Sequence, residues 1–274
     1  MGNLAKRFAT AGVLVPLVLL AIYADPTPIS VTALAVLAAV FGYDEWLRMA
    51  LPVREDDGAW SLRIPGATLC ALVVVLSVVF GPLDALTPLW TLATLLLPSI
   101  VLFRRAALAE AGRHMAVALA GLSYVGLLLS PLALFKAEGR PDLLVMTLCL
   151  AFFSDTVAYF FGRFWGKRKL YEAVSPKKTR AGAVGGLVGG VLATTVVGAA
   201  WIVPELPVGP AVGLGIAGSV AGQIGDLVES MAKRTFGVKD SGHLLPGHGG
   251  VLDRIDGLLF VGPVVYWFFV LSGY

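Results

Sequence analysis

Residues 208–232 read V-G-P-A-V-G-L-G-I-A-G-S-V-A-G-Q-I-G-D-L-V-E-S-M-A. A helix that crosses the hydrocarbon core of a bilayer needs about 20 mostly apolar residues, and this run supplies them. It carries two carboxylates, Asp226 and Glu229, near its end. Three residues apart, they share a helix face. The run decides the fold class because its length and lack of alternation suit a membrane helix, the form in which a lone segment satisfies its own backbone in lipid.

Immediately downstream the character of the chain reverses. Residues 230–256 read S-M-A-K-R-T-F-G-V-K-D-S-G-H-L-L-P-G-H-G-G-V-L-D-R-I-D. Lys233, Arg234, Lys239 and Arg254 stand beside Asp240, Asp253 and Asp256, with Gly247, Gly249 and Gly250 around His248. Cations, carboxylates and a glycine turn are the ingredients of a site for metal ions and phosphates.

The whole chain shares the apolar character of 208–232. Of its 274 residues, 57% are hydrophobic and 14% charged, and mean hydropathy is +0.83. Soluble domains average roughly 45–50% apolar and about 25% charged. About nine candidate spans are expected: 8–23, 29–47, 66–81, 87–103, 115–135, 142–162, 182–203, 208–232 and 256–272. The first follows Lys6 and Arg7 like a signal peptide, but no small-x-small cleavage site follows, so it reads as a retained span. Cys70 and Cys149 lie in apolar segments and imply neither a disulfide nor a zinc site.

With about nine spans, all of the 21 Lys and Arg except Lys136 and Arg140 fall on the side of the N-terminus. Lys/Arg-rich connections stay in the cytoplasm. The expectation is an all-α polytopic membrane protein with a cytoplasmic N-terminus. The basic connections 163–181 and 233–255 then meet the cytoplasm, where nucleoside triphosphates are found. We expect N-terminal helices in 1–140 and a catalytic region in 141–274, together one integral membrane unit.

Asp155, Asp226 and Asp256 lie in or against apolar helix. A charge at a helix centre costs about 2.5–3.5 kcal/mol even on insertion scales, so such a group normally faces a cavity, a metal or a cation. A helix-to-helix hydrogen bond or a protonated acid is the bland alternative. Asp253 and Asp256 are three apart at the start of the last span. Such carboxylates can hold one or two Mg²⁺, while Asp253 also suits a helix N-cap. In Ser175-Pro176-Lys177-Lys178-Thr179 a proline sets a turn for two ammonium groups flanked by hydroxyls, which suits triphosphate oxygens. Arg163, Lys167, Arg168 and Lys169 read as orientation and anionic-lipid charges. The run from Gly162 to Arg168 is one residue short of a P-loop and lacks its Ser/Thr. For His248 we expect a positioning role on phosphate, since a phosphate monoester nucleophile is already ionised.

At these residues the chain resembles the phosphatidate cytidylyltransferase (CDP-diacylglycerol synthase) family, whose signature is S-x-x-K-R-x4-K-D-x-G-x2-L-P-G-H-G-G-x-x-D-R-x-D. The match falls on Ser230, Lys233, Arg234, Lys239, Asp240, Gly242, Leu245 to Gly250, Asp253, Arg254 and Asp256. Further similar motifs include Asp155-Thr156, Gly162-Arg163, Ser175 to Thr179 and Gly222-Gln223-x-Gly225-Asp226-Leu227-x-Glu229-Ser230, so the resemblance covers about residues 140–270. Ala181 and Gly257 depart from it, standing where Glu and Ser are usual.

The resemblance implies that the phosphate of phosphatidic acid attacks the α-phosphorus of CTP, giving CDP-diacylglycerol and pyrophosphate. It implies Mg²⁺ in a two-cation site on Asp226 and Asp253 with Asp256 close by, and it admits a monovalent second cation. Asp226, Asp253, Asp256, Lys239 and His248 would be catalytic. Asp155, Ser175, Lys177, Lys178, Thr179, Lys233, Arg234, Asp240, Gly249 and Arg254 would bind the substrates. It also implies a homodimer in the cell's inner membrane, with the site facing the cytoplasm and no nucleic-acid partner.

Three other classes compete with this reading. An ion-coupled transporter predicts inverted repeats, which the sequence lacks. A CDP-alcohol phosphotransferase needs Ala-Arg after Asp-Gly, absent at Asp256-Gly257. A CTP-dependent lipid kinase would send the γ-phosphate, not the α, to an alcohol.

Overall fold

The computed structural model describes residues 3–51, 60–104, 108–245, 247 and 249–274, with side chains from residue 12 onward. Helices dominate: α1 Asn3–Tyr23, α2 Ile29–Ala50, α3 Trp60–Phe80, α4 Pro82–Phe103, α5 Leu108–Gly121, α6 Leu128–Ala137, α7 Pro141–Trp165, α8 Arg180–Leu192, α9 Val208–Thr235 and α10 Leu252–Ser272. A π-helical turn at Leu122–Leu127 joins α5 to α6, and another at Ala193–Ile202 extends α8. Among the described residues, eight helical stretches are long and apolar enough to cross a membrane, and Gly12–Tyr23 is a shorter apolar helix. The chain is thus an all-α, polytopic integral membrane protein. Among the described residues, the strands form a small hairpin of β1 Lys169–Tyr171 and antiparallel β2 Ser175–Thr179, inside the connection read as a basic loop.

Two compact units make up the chain. The first comprises Met1–Ala137 with Asp240–Arg254, the second Glu138–Lys239 with Ile255–Tyr274.

In the first unit, α3 and α4 are separated by one residue. Gly81 sits at φ 86°, which glycine adopts without cost. Pro82 follows as the first residue of α4, where a missing N–H loses nothing. The core is aliphatic, with aromatic anchors on α2. Tyr43 Oη donates to Ala118 O at 3.2 Å and Trp46 Nε1 to Val117 O at 3.0 Å, pinning α2 to α5. Lys136 is buried and donates to Ile22 O at the end of α1.

The turn from α1 to α2 is capped by Asp25. Its Oδ1 accepts from Thr27 N and Oγ1, and its Oδ2 from Ser30 N in the first turn of α2. These bonds, chiefly those from Thr27, lower its pKa from 3.8 to about 2. A depressed carboxylate contributes stability above its unfolded pKa and loses it as pH falls through the folded one. Asp25→Asn should therefore melt slightly below the parent at neutral pH, with the gap closing between about pH 4 and about pH 2. Thermal unfolding followed by circular dichroism across that window checks it; a constant gap would assign the effect to packing.

In the second unit, α8 packs between α7 and α9 through a face of buried glycines. A Cβ on Gly189 would lie 2.6 Å from Phe153 O of α7, and one on Gly190 would lie 2.9 Å from Gly215 O of α9. Small residues let membrane helices bring their backbones together. Ser219 Oγ donates to Gly186 O, Thr194 Oγ1 to Ala211 O and Gln223 Nε2 to Ala183 O across these seams. At the other end of the unit, Arg140 pairs with Asp142 and Glu205.

Candidate active site

Close packing is what assembles the carboxylates of the second unit. Gly225 is buried where α9 meets α10, and a Cβ there would lie 2.7 Å from the backbone oxygen of Asp256. The absent side chain lets the two helices approach, so Asp226 and Asp256 are neighbours. Asp155 joins from α7: it feels the charges of Asp226 and Lys178. Asp256 feels those of Asp226, Asp155 and Lys233. Three carboxylates from three helices therefore share one electrostatic neighbourhood.

The hairpin delivers the cation. Lys178 Nζ lies 2.6 Å from Asp226 Oδ2, and Ser230 Oγ donates to Asp226 Oδ1 at 3.3 Å. Thr179 fixes the hairpin to α8 by accepting from Gly182 N, an N-cap bond. The P-loop-like glycines prove to be packing residues. A Cβ on Gly162 or Gly166 would press on the Thr179 side chain, at 3.2 Å and 2.6 Å respectively. Ser175 and Lys177 lie on β2, with Lys177 exposed.

One turn along α9, Glu229 is fully buried and accepts from Lys233 Nζ at 2.6 Å. Spacing put Glu229 on the helix face of Asp226; the structure pairs it with Lys233, whose ammonium it orients. Arg234 and Lys239 are exposed beyond it.

The remaining candidates belong to the first unit. Asp253 Oδ2 accepts from Ser241 N at 2.9 Å, Ser241 Oγ at 3.0 Å and Gly250 N at 2.9 Å. Asp253 lies within the first turn of α10, and these bonds run back to the residues before the helix rather than forward to its own N–H groups, so they are not the N-cap bonds the sequence suggested. Gly249 takes φ 81°, and a Cβ on it would lie 2.5 Å from Asp253 Oδ2, so glycine alone fits this turn. Leu245 N donates to Gly249 O, closing the turn. Asp240 and Arg254 are exposed. His248, together with Pro246, lies outside the described residues.

Sequence reasoning missed Glu45 of α2. It is 6% exposed, and it accepts from Ser241 Oγ, Val251 N and Leu252 N at 2.9–3.0 Å. The signal was present in Asp44-Glu45, a carboxylate pair inside an apolar span. Asp44 is neutralised by Arg48 and the buried Arg63.

Among the described residues no three His, Cys, Asp or Glu side chains converge as a ready-made metal cage. Mg²⁺ does not ask for one, because it usually takes one or two carboxylates together with substrate phosphates and water. Asp155, Asp226 and Asp256 are hard oxygen donors in electrostatic excess over Lys178, and they fit such an ion.

Comparison with known proteins agrees with this chemistry. The model of the cytidylyltransferase family matches residues 5–272. The phosphatidate cytidylyltransferase of Brucella abortus is 42% identical over 158 residues, covering 54% of this chain and 55% of the relative. That of Staphylococcus saprophyticus is 41% identical over 157 residues, covering 55% and 57%. That of Bacillus subtilis is 46% identical over 127 residues, covering 45% and 46%. The chain spans about half the length of the curated relatives it matches. With the family model covering nearly every residue, the chain belongs to the cytidylyltransferase family.

Proposed function

We propose that the protein is a phosphatidate cytidylyltransferase, joining CTP and phosphatidic acid into CDP-diacylglycerol with release of pyrophosphate. The observation that carries the reading is the Lys178–Asp226 contact at 2.6 Å, set among Asp155 and Asp256 in the helical part of an integral membrane protein. A phosphate-seeking cation and metal-type carboxylates are what transfer between two phosphates requires. The family match and the names of the relatives support the choice of substrates.

In the reaction an oxygen of the lipid phosphate bonds to the α-phosphorus of CTP. The bond from that phosphorus to the bridging oxygen breaks, and pyrophosphate carries away the electron pair. Catalysis of this kind rests on positioning and charge neutralisation. Lys178, with Ser175, Lys177 and Thr179, would bind the triphosphate. Lys233, Arg234, Lys239 and Arg254 would bind the remaining phosphate oxygens, with Asp240, Gly249 and His248 shaping the loop. Asp226, Asp253 and Asp256 would hold Mg²⁺ and a second cation, divalent or monovalent. When bound, the metal supplies Lewis-acid neutralisation of attacking and leaving oxygens. The acyl chains stay in the bilayer, so the site opens sideways to lipid.

With about nine spans, as expected from the sequence, nearly all Lys and Arg fall on one side, which supports a cytoplasmic N-terminus and a site facing the cytoplasm from the inner membrane. A homodimer completes the proposal.

The test uses detergent-purified protein, phosphatidic acid and CTP labelled at the α-phosphate, with Mg²⁺ or EDTA. Label entering lipid only with Mg²⁺, with one pyrophosphate per product, is the expected result. If no α-label enters lipid and, in a second arm with γ-labelled CTP, label enters a lipid alcohol, the protein is a lipid kinase and the reading is overturned.

A further inference from the structure

We infer that Glu45, on α2, is a positioning residue for the polar turn residues 241–245 and 249–253; as a statement about turnover this rests on the function proposed above. Its carboxylate is buried and far in sequence from everything it holds. Oε1 accepts from Val251 N at 2.9 Å, and Oε2 from Leu252 N and Ser241 Oγ, both at 3.0 Å. Val251 immediately precedes α10 and Leu252 is its first residue; the first N–H groups of a helix have no partner within it. A carboxylate placed there accepts from Leu252 N and from Val251 N just before it, and meets the positive end of the helix dipole.

The turn is shaped to receive this group. A Cβ on Gly242 would stand 2.6 Å from Glu45 Oε1, and one on Gly250 2.4 Å from Oε2. These two glycines of the signature thus have a stated reason: they leave the volume that the Glu45 head fills. Ser241 Oγ lies 3.0 Å from both Glu45 Oε2 and Asp253 Oδ2. A hydroxyl has one proton to donate, so it serves one carboxylate at a time while backbone N–H groups hold the other. Glu45, Ser241 and Asp253 therefore form one connected unit, and the placement of the Asp253 carboxylate depends on a helix remote in sequence.

Arg48 and Arg63 are drawn to Asp44, the neighbouring carboxylate. Glu45 is left to the turn. Gln is close in shape, but its amide nitrogen is a donor, so it cannot satisfy Val251 N, Leu252 N and Ser241 Oγ together.

The experiment compares Glu45→Gln with the parent by amide hydrogen exchange and by turnover in mixed micelles. Exchange at Gly250, Val251 and Leu252 should accelerate at least on the order of tenfold, as for loss of a hydrogen bond to a charged group. Exchange within α2 should stay parental. Turnover should fall by on the order of 10-fold to 100-fold at saturating CTP and lipid, with the KM for CTP changed far less. Parental exchange in the turn would overturn the inference, as would exchange rising equally through α2. The exchange readout holds even if the parent has no cytidylyltransferase activity, so the two readings fail separately. Should Glu45→Gln not fold, Gly242→Ala presses on the same carboxylate while keeping its charge. It must give the same local acceleration, and parental exchange there would likewise sink the idea.

Discussion

Asp226→Asn is expected to lower turnover by on the order of 10²–10³ while leaving the fold intact, a loss of the size seen when a principal electrostatic group is removed. Asn keeps the shape and the possible contact with Ser230 Oγ but gives up the charge. Lys178, 2.6 Å away in the parent, then faces a neutral amide. The metal would lose one of the few protein oxygens it can use. Stability should change little, because a partly exposed ion pair contributes about 0–1 kcal/mol. The check is steady-state turnover at saturating CTP and phosphatidic acid, with an Mg²⁺ titration and size-exclusion elution as the control for folding. Near-parental turnover would remove Asp226 from the site.

Gly225→Val should be as damaging by a different route. The first carbon added would lie 2.7 Å from Asp256 O and 2.9 Å from the Phe260 ring. Backbone oxygen cannot swing aside as a flexible side chain can, so α9 and α10 must separate. Overpacking of this kind costs about 1–3 kcal/mol. It also parts Asp226 from Asp256, so turnover should fall by on the order of 10² in protein that still folds, as misplacement by an ångström can do. Gly213→Ala on the same helix has nothing within 4 Å of the new carbon. It should keep full turnover and melt no lower, since Ala is the better helix former. Parental turnover in Gly225→Val would show that the approach of the two helices is not needed.

The spans were legible in the sequence because a bilayer tolerates few interruptions: α2 through α10 fall where the apolar runs lie. The π-helical turns were not legible. Leu122–Leu127 and Ala193–Ile202 are as apolar as their neighbours, and the register change depends on partners such as Gly198 against Met146 of α7. The hairpin was hidden because five residues, Ser175–Thr179, are too few to show alternation. At the site, residue types were legible and pairings were not. Lys177 and Lys178 look alike in sequence, yet it is Lys178 that reaches Asp226. The partners of Glu45 were hidden for the same reason: they lie 196 to 207 residues away, and no local pattern signals them.

The hairpin that presents Lys178 also fixes where that residue should appear in kinetics. A two-stranded hairpin is marginal by itself and forms in about 1–10 μs. A typical enzyme turns over about 10 times per second. Once open, the strands therefore re-form on the order of 10⁴ times faster than one such cycle. Under the proposed function, engagement of the triphosphate by β2 would then be a rapid pre-equilibrium, settled before any bond to phosphorus breaks. Weakening the hairpin, for example at Thr179, should raise the CTP concentration needed for half-maximal rate and leave the ceiling in place.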